Sequence, residues 1–187
     1  ANSIWLWGEG TKPALTSFKD RFGIQGGVIS AVDLIKGIGI CAGHRLCEVE
    51  GATGNWDTNF VGKANAALSL LNDGCDYVYI HVEAPDECGH RAETENKVLS
   101  IEKIDAEILA PVLSYLETSG DDFRIMVLPD HPTPIFLRTH TSDPVPFFIY
   151  DSQNEFSGVA QFTEDAATDT GFYVEDGYRL MELLTKH

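Results

Sequence analysis

Histidines and carboxylates stand close together in three short stretches of the chain. These stretches are residues 81–90 (HVEAPDECGH), 129–132 (PDHP) and 139–144 (THTSDP). Each comes just after a run of β-forming residues, where a strand would pass into a loop. Aspartate and histidine together are typical ligands of catalytic divalent metals. The pattern therefore predicts a metal site of the kind that serves phosphate chemistry.

The spacing within two of these stretches allows shared ligation. Asp86 and His90 are four residues apart, so a helical turn over residues 85–89 would place both side chains on one face. Asp130 and His131 are adjacent and can share an ion only if the backbone is irregular there. The prolines on either side of that pair favour such a backbone.

A non-functional explanation exists for any one of these histidines. A surface or hydrogen-bonded role is the simpler interpretation of His44 and His187. For Asp130 and His131 taken alone, the structural and the functional interpretations are about equally good. Three clusters that all follow strands favour the metal site.

Strand and helix patterns alternate along the chain. The strand-like runs are residues 28–32, 77–82, 124–128 and 146–150, and the helical patterns are residues 13–22, 60–71, about 96–116 and 178–184. This order predicts an α/β sheet with helices on both faces. Ligands of such sheets bind beyond the carboxyl ends of the strands. The motifs that follow the second and third runs should therefore face one crevice.

Three local features refine these elements. The segment 37–39 (GIG) is expected to break the pattern after the first strand. Residues 151–172 are the most loop-like stretch. The helix over residues 96–116 is expected to be amphipathic. Its predicted apolar stripe consists of Val98, Ile101, Ile104, Ile108, Leu109, Val112 and Leu116.

The composition suits one globular domain over residues 1–187. Hydrophobic residues make up 43% and charged residues 22% of the chain, as is ordinary for such a domain. The net charge of −16 argues against a nucleic-acid partner, because backbone binding needs clustered Lys and Arg. No apolar run approaches the roughly 20 residues that span a bilayer, and no signal peptide is visible. We therefore expect no membrane partner and a cytoplasmic location.

The four cysteines have no metal-binding spacing. They are Cys41, Cys47, Cys75 and Cys88, with no CxxC pair among them. A thiolate zinc site is a poor explanation for such spacing, and reduced thiols in the cytoplasm are the simpler one.

The beginning of the chain has no initiator methionine and runs directly into an apolar segment, residues 4–8 (IWLWG). We expect this segment to be buried and the chain to be a piece of a longer protein. A complete small enzyme that has lost its methionine is the alternative.

Several longer motifs resemble those of a known family. Residues 86–90 (DECGH), 129–131 (PDH) and 139–141 (THT), the last followed by 144–147 (PVPF), are similar to the metal motifs of cofactor-independent phosphoglycerate mutases. These enzymes belong to the alkaline phosphatase superfamily, and the similarity is to the archaeal-type branch. Residues 4–10, 30–37, 51–54 and 57–63 resemble that branch too, so the resemblance covers nearly the whole chain. It implies a three-layer α/β/α sandwich, alkaline-phosphatase-like and truncated at its N-terminus.

The resemblance implies two divalent metal ions. Asp86, His90 and His140 match the ligands of one ion, and Asp130 and His131 match two ligands of the other. In the family, an aspartate near the N-terminus and the nucleophilic serine complete the second site, and neither has a match here. Manganese is the expected metal, although Mg²⁺, Zn²⁺ and Co²⁺ also accept such ligands.

The implied reaction is the interconversion of 3-phosphoglycerate and 2-phosphoglycerate in glycolysis. It passes through a phosphoserine whose serine lies outside this chain, so no catalytic nucleophile is assigned here. Ser30 is rejected as a nucleophile because it should lie inside a strand. Lys63 resembles a family lysine that contacts substrate phosphate, and its alternative is a solvated lysine on a helix surface.

Other functions remain open at this point. The same metal ligands would suit another phosphomutase or a phosphatase of the superfamily, and the chain could also be a non-catalytic metal-binding fragment. Its expected partners are a small phosphorylated substrate and the missing N-terminal part of the same protein. Without that part, we expect the chain to have no mutase activity.

Overall fold

Helices and strands alternate along the computed structural model, which describes residues 10, 11, 13–154, 156 and 158–185. The strands are β1 (Gly26–Ile29), β2 (Arg45–Leu46), β3 (Tyr77–Ile80), β4 (Arg124–Val127) and β5 (Phe148–Asp151). The α-helices are α1 (Phe18–Phe22), α2 (Asp33–Cys41), α3 (Phe60–Asn72), α4 (Ala84–Arg91), α5 (Thr94–Lys103), α6 (Ala110–Ser119), α7 (Glu164–Asp169) and α8 (Leu180–Thr185). The predicted apolar segment 4–8 and His187 lie outside the described residues.

Strand β1 is the centre of a parallel sheet with the order β2-β1-β3. Neighbouring side chains of a strand point to opposite faces, and both faces of β1 are covered. The side chain of Val28 lies against Gly39 of α2. Ile29 packs with Ala67 and Leu70 of α3 on the other face. Helices therefore cover the sheet on both sides, and the predicted α/β/α arrangement is confirmed.

The last two strands form a separate antiparallel pair, in which Arg124 lies opposite Asp151. The Arg124 Nε donates to Asp151 Oδ2 at 2.8 Å, and this bond lowers the pKa of the Asp151 carboxyl. The carboxyl end of β4 leads directly to Asp130 and His131. It thereby brings these two residues towards the end of the first sheet.

Several predicted boundaries were wrong for local reasons. Helix α1 begins at Phe18 and not at Pro13, because the Ser17 side chain caps it by accepting from the Asp20 amide. The loop-like stretch 151–172 contains helix α7, which the Thr163 side chain caps in the same way. Such caps satisfy amides that a helix start leaves free, and so they fix where each helix begins.

The segment 37–39 does not interrupt a strand but lies inside helix α2. A Cβ built on Gly39 would be 2.6 Å from Val28 Cγ1, whereas one on Gly37 would have nothing within 4 Å. Gly39 therefore allows α2 to approach β1 closely, and Gly37 has no such role.

The long helix predicted for residues 96–116 exists as α5, a π-helical segment (Ile104–Leu109) and α6. Its predicted apolar stripe was only partly right. Ile108 is buried with Phe60, but Val98 and Ile101 are exposed. The buried face of α5 is polar instead, with Ser100 fully buried and bonded to the Asn96 carbonyl. The wider π turns shift the apolar positions relative to a regular 3.6-residue repeat.

Two further expectations concern the cysteines and the membrane. All four cysteines are free thiols, and Cys75 and Cys88 are buried. Among the described helices, none combines the length and the apolar character needed to cross a bilayer.

The two glycines of α2 provide a matched pair of variants. We predict that Gly39→Ala lowers the free energy of unfolding by about 1–3 kcal/mol, because the new methyl overlaps Val28. Gly37→Ala should raise it by about 0.5–1 kcal/mol, since alanine lowers the entropy cost of an exposed helical site. Urea unfolding of both variants measures the difference. Equal effects of the two substitutions would contradict the close approach of α2 to β1.

Candidate metal centre

Helix α4 holds two of the predicted ligands on one face. It begins four residues after β3, has Pro85 in its first turn, and carries Asp86 near its start and His90 near its end. The His90 Nε2 lies 3.4 Å from Asp86 Oδ2. The helical turn predicted for residues 85–89 is therefore confirmed.

A closed loop after β4 brings two more histidines to this face. The Arg138 amide donates to the Pro134 carbonyl at 2.9 Å, and the Thr141 amide donates to the Pro132 carbonyl at 3.2 Å. These bonds fold the loop back on itself, so that the rings of His131 and His140 lie 3.8 Å apart between centroids.

Three atoms from these two segments have the mutual spacing of metal ligands. The His140 Nε2 is 3.3 Å from Asp86 Oδ1 and 3.0 Å from the His90 Nε2. Ligands about 2.0–2.1 Å from a tetrahedral ion are about 3.3 Å from one another. The spacing of Asp86, His90 and His140 thus fits the ligand set of one ion.

The hydrogen bonds of His90 support the same conclusion. Its Nδ1 lies 3.0 Å from the carbonyl oxygen of Arg138, which can only accept, so Nδ1 carries the proton in the neutral ring. The lone pair of Nε2 then faces His140 and Asp86. Arg138 itself has a left-handed backbone with φ of 56°, a conformation that non-glycine residues adopt at a cost. Two ring nitrogens 3.0 Å apart require a proton or a cation between them.

Asp130 and His131 lie beside this set rather than apart from it. Asp130 Oδ1 accepts from the His131 amide at 3.0 Å, and its other oxygen is 3.5 Å from His131 Nε2. Ligand atoms of Asp86, His131 and His140 all lie within 4.8 Å of one another. The structure therefore brings the five predicted ligands into one cluster. Their division between two ions stays a prediction.

Lys63 is fully buried, so the alternative of a solvated surface lysine was wrong. Its ammonium donates to the His81 carbonyl at 3.0 Å. Burial lowers the pKa of Lys63 to about 8, against the opposing effect of the Glu83 carboxylate. No described contact tests its expected role with substrate phosphate, which stays a prediction.

His81, whose carbonyl accepts from Lys63, also contacts Ser30. Ser30 follows the end of β1 and is buried, so its predicted position inside the strand was wrong. Its hydroxyl accepts from the Val32 amide and lies 3.3 Å from His81 Nδ1. Burial lowers the pKa of His81, while the charge of Asp130 opposes this shift. These contacts occupy the Nδ1 and the carbonyl of His81 and suit a supporting role beside the predicted ligands.

His44, expected to have a surface or hydrogen-bonded role, packs among aromatic rings. Its ring lies 4.8 Å from that of Phe18 and 5.9 Å from that of Tyr77, between centroids. It also lies against Gly26 at the start of β1, at the end of the strand opposite Ser30. This position separates it from the predicted ligands.

The charges around the cluster are unbalanced. Burial raises the pKa of Glu83, and the neighbouring carboxylates Glu87 and Asp86 raise it further. Burial also lowers the pKa of Lys97, which the charge of Asp86 partly opposes. Carboxylates held together in this way repel one another, and a bound cation would relieve the repulsion.

Sequence reasoning missed two residues of this centre. The hydroxyl of Thr133 donates to Asp86 Oδ1, and the Lys97 ammonium donates to the Thr133 carbonyl at 2.9 Å. The only sequence signal was the position of Thr133 between two prolines, which indicates a fixed turn. Nothing in the local sequence indicates that Lys97 reaches this loop.

Comparison with known proteins gives consistent relatives. The chain is 52% identical over 185 residues to a probable 2,3-bisphosphoglycerate-independent phosphoglycerate mutase of Geobacter sulfurreducens, a match that covers 98% of this chain and 46% of that protein. It is 48% identical to the 2,3-bisphosphoglycerate-independent phosphoglycerate mutase of Methanothrix thermoacetophila, with 98% and 47% covered. The resemblance identified in the sequence is therefore confirmed. The chain spans about half the length of these relatives.

Solved structures support the fold. A Pyrococcus horikoshii protein superposes with a TM-score of 0.80 at 27% identity, over 94% of this chain and 52% of that one. The cofactor-independent phosphoglycerate mutase of Thermoplasma acidophilum superposes with a TM-score of 0.60 at 20% identity, over 93% and 39%. The profile of the Metalloenzyme superfamily matches residues 1–186. The clustered aspartates and histidines fit that description, and the chain belongs to the Metalloenzyme superfamily.

Proposed function

We propose that this chain is the metal-binding part of a phosphoglycerate mutase that interconverts 3-phosphoglycerate and 2-phosphoglycerate. The observation that carries the proposal is the spacing of 3.0–3.4 Å among ligand atoms of Asp86, His90 and His140, which come from two separate segments. Relatives at 48–52% identity carry the name of this activity. A glycolytic reaction of this kind also supports a cytoplasmic location.

The ligand atoms divide into a complete and an incomplete set. Asp86, His90 and His140 would hold one divalent ion, and Asp130 with His131 would hold part of a second. Bound divalent ions would polarise the phosphoryl oxygens of the substrate. Manganese is our first candidate, and Mg²⁺, Zn²⁺ and Co²⁺ are alternatives that also accept carboxylate and imidazole ligands.

The chain's own residues supply orientation and positive charge. The Arg138 carbonyl holds His90 with its Nε2 towards the cluster. The Lys63 ammonium donates to the His81 carbonyl, and we assign this lysine to the substrate phosphate. The serine that accepts the phosphoryl group would come from the remaining part of the protein.

A chimeric enzyme tests the proposed reaction. In the chimera, this chain replaces the matching 46% of the Geobacter sulfurreducens relative. We predict that the chimera converts 3-phosphoglycerate to 2-phosphoglycerate in a coupled enolase assay, and that its His140→Ala variant and the 187-residue chain alone do not. A folded, metal-loaded chimera that releases inorganic phosphate without forming 2-phosphoglycerate would favour a phosphatase instead.

Metal binding by the chain itself is a separate prediction. We expect Mn²⁺ or Zn²⁺ to bind to the 187-residue chain, and His90→Ala to weaken that binding by at least about 10-fold, because it removes one of three ligands. Isothermal titration calorimetry measures the change. His44→Gln is the control, because His44 packs against Phe18 and Tyr77 and contributes nothing to the cluster. Equal affinity in wild type and His90→Ala would contradict the ligand set.

Burial of Lys63 makes a prediction about pH. Its pKa is about 8 in the folded chain and near 10.4 in an unfolded one, so the unfolded state binds more protons between these values. Stability should therefore rise with pH in this interval. We predict that the metal-free wild type gains up to about 3 kcal/mol relative to Lys63→Met between pH 7 and pH 10.5.

Urea unfolding at several pH values measures the effect of Lys63. Other titrating groups are common to both proteins and cancel in the difference. Parallel stability curves for wild type and Lys63→Met would show that Lys63 is ordinarily charged in the folded state.

A further inference from the structure

We infer that Thr133 is a positioning residue, which fixes the neutral tautomer of His131 and the orientation of the Asp86 carboxylate for metal binding. This inference rests on the proposed metal site and adds to it a residue that touches no metal. Thr133 lies in the loop after β4, between the two prolines that follow His131.

The single hydroxyl proton of Thr133 determines the direction of its two contacts. The hydroxyl donates to Asp86 Oδ1, and the same oxygen lies 3.3 Å from His131 Nδ1. A threonine hydroxyl has one proton to give and lone pairs to accept with. Because the carboxylate takes the proton, the contact with His131 requires a proton on Nδ1. The lone pair of the neutral ring is then on Nε2.

That tautomer is the one that the cluster needs. The His131 Nε2 is 3.5 Å from Asp130 Oδ2, and His131 belongs to the group of ligand atoms within 4.8 Å that includes Asp86 and His140. A ligating histidine typically donates its other ring N–H to a fixed partner, which sets its tautomer and orientation. Thr133 would serve His131 as the Arg138 carbonyl serves His90.

Thr133 is itself held from two sides. It is buried, and its carbonyl accepts from the Lys97 ammonium of α5 at 2.9 Å. A Cβ built on Gly89 of α4 would be 2.6 Å from that carbonyl oxygen and 2.9 Å from the Thr133 methyl. In this packed position the Thr133 hydroxyl lies between Asp86 and His131. It also ties helix α4 to the loop that carries the other ligands.

The role depends on the hydroxyl and not on the volume of the side chain. Valine has almost the same shape, but it would leave His131 free to exchange tautomers and Asp86 free to turn. Loss of such an outer partner typically weakens metal binding by about 10–100-fold. Serine keeps the hydroxyl and should keep most of the affinity.

Calorimetry and nitrogen NMR on the 187-residue chain test the inference. We expect Thr133→Val to weaken Mn²⁺ or Zn²⁺ binding by about 10–100-fold. Thr133→Ser should bind the metal within about 3-fold of the wild-type affinity, a factor worth less than about 1 kcal/mol. In metal-free protein, long-range ¹H–¹⁵N spectra of His131 should show the proton on Nδ1 in wild type and Thr133→Ser. Thr133→Val should show a mixture of tautomers.

The matched control is Thr141→Val in the same loop. The Thr141 hydroxyl is buried and has no hydrogen-bond partner among the described residues, so its loss should change neither affinity nor tautomer. A wild-type His131 with its proton on Nε2, or unchanged affinity in Thr133→Val, would overturn the inference. If wild type bound no metal at all, the proposed function would fail. The tautomer of His131 in the metal-free protein would still test Thr133, even if the valine variant did not fold.

Discussion

The site depends on the contacts of the Asp86 carboxylate. Its three partners come from its own helix and from the loop after β4. Its two oxygens lie near His90, His140 and the Thr133 hydroxyl. Asp86 thus joins α4 to the loop. The same arrangement concentrates negative charge where Glu83 is already half-buried. Such a cluster is costly without a cation, because desolvation weakens the screening of like charges.

The scaffold makes this concentration of ligands possible by close backbone packing. Gly39 lets α2 approach β1, and Gly89 lets α4 approach the loop at Thr133. In both places a methyl group would overlap its neighbour, so the distance between elements is set by the absence of a side chain. The segments that follow β3 and β4 then meet, because Thr133 after β4 donates to Asp86 after β3. The site therefore arises from the placement of these elements and not from any unusual side chain.

Local sequence was sufficient for the parts of the site that lie within one element. The spacing of Asp86 and His90 predicted a shared helical face, and the strand runs predicted where the ligand loops begin. Contacts between distant segments could not be read in this way. The burial of Lys63, the bond from Lys97 and the π segment in the long helix all depend on tertiary packing, which overrides local preference. The family resemblance supplied the grouping of His140 with Asp86, which no spacing could indicate.

In the proposed function, substrate binding must also overcome the electrostatic field of the negatively charged chain. A net charge of −16 repels an anionic phosphoester at long range, and this repulsion is strongest at low ionic strength. Within the site, Lys63 and Lys97 donate to backbone carbonyls near the ligands, and burial lowers the pKa of both. Bound divalent ions would add positive potential for the substrate at the ligands themselves. On this view the ions do more than polarise the phosphoryl group, since phosphate affinity itself should follow metal occupancy.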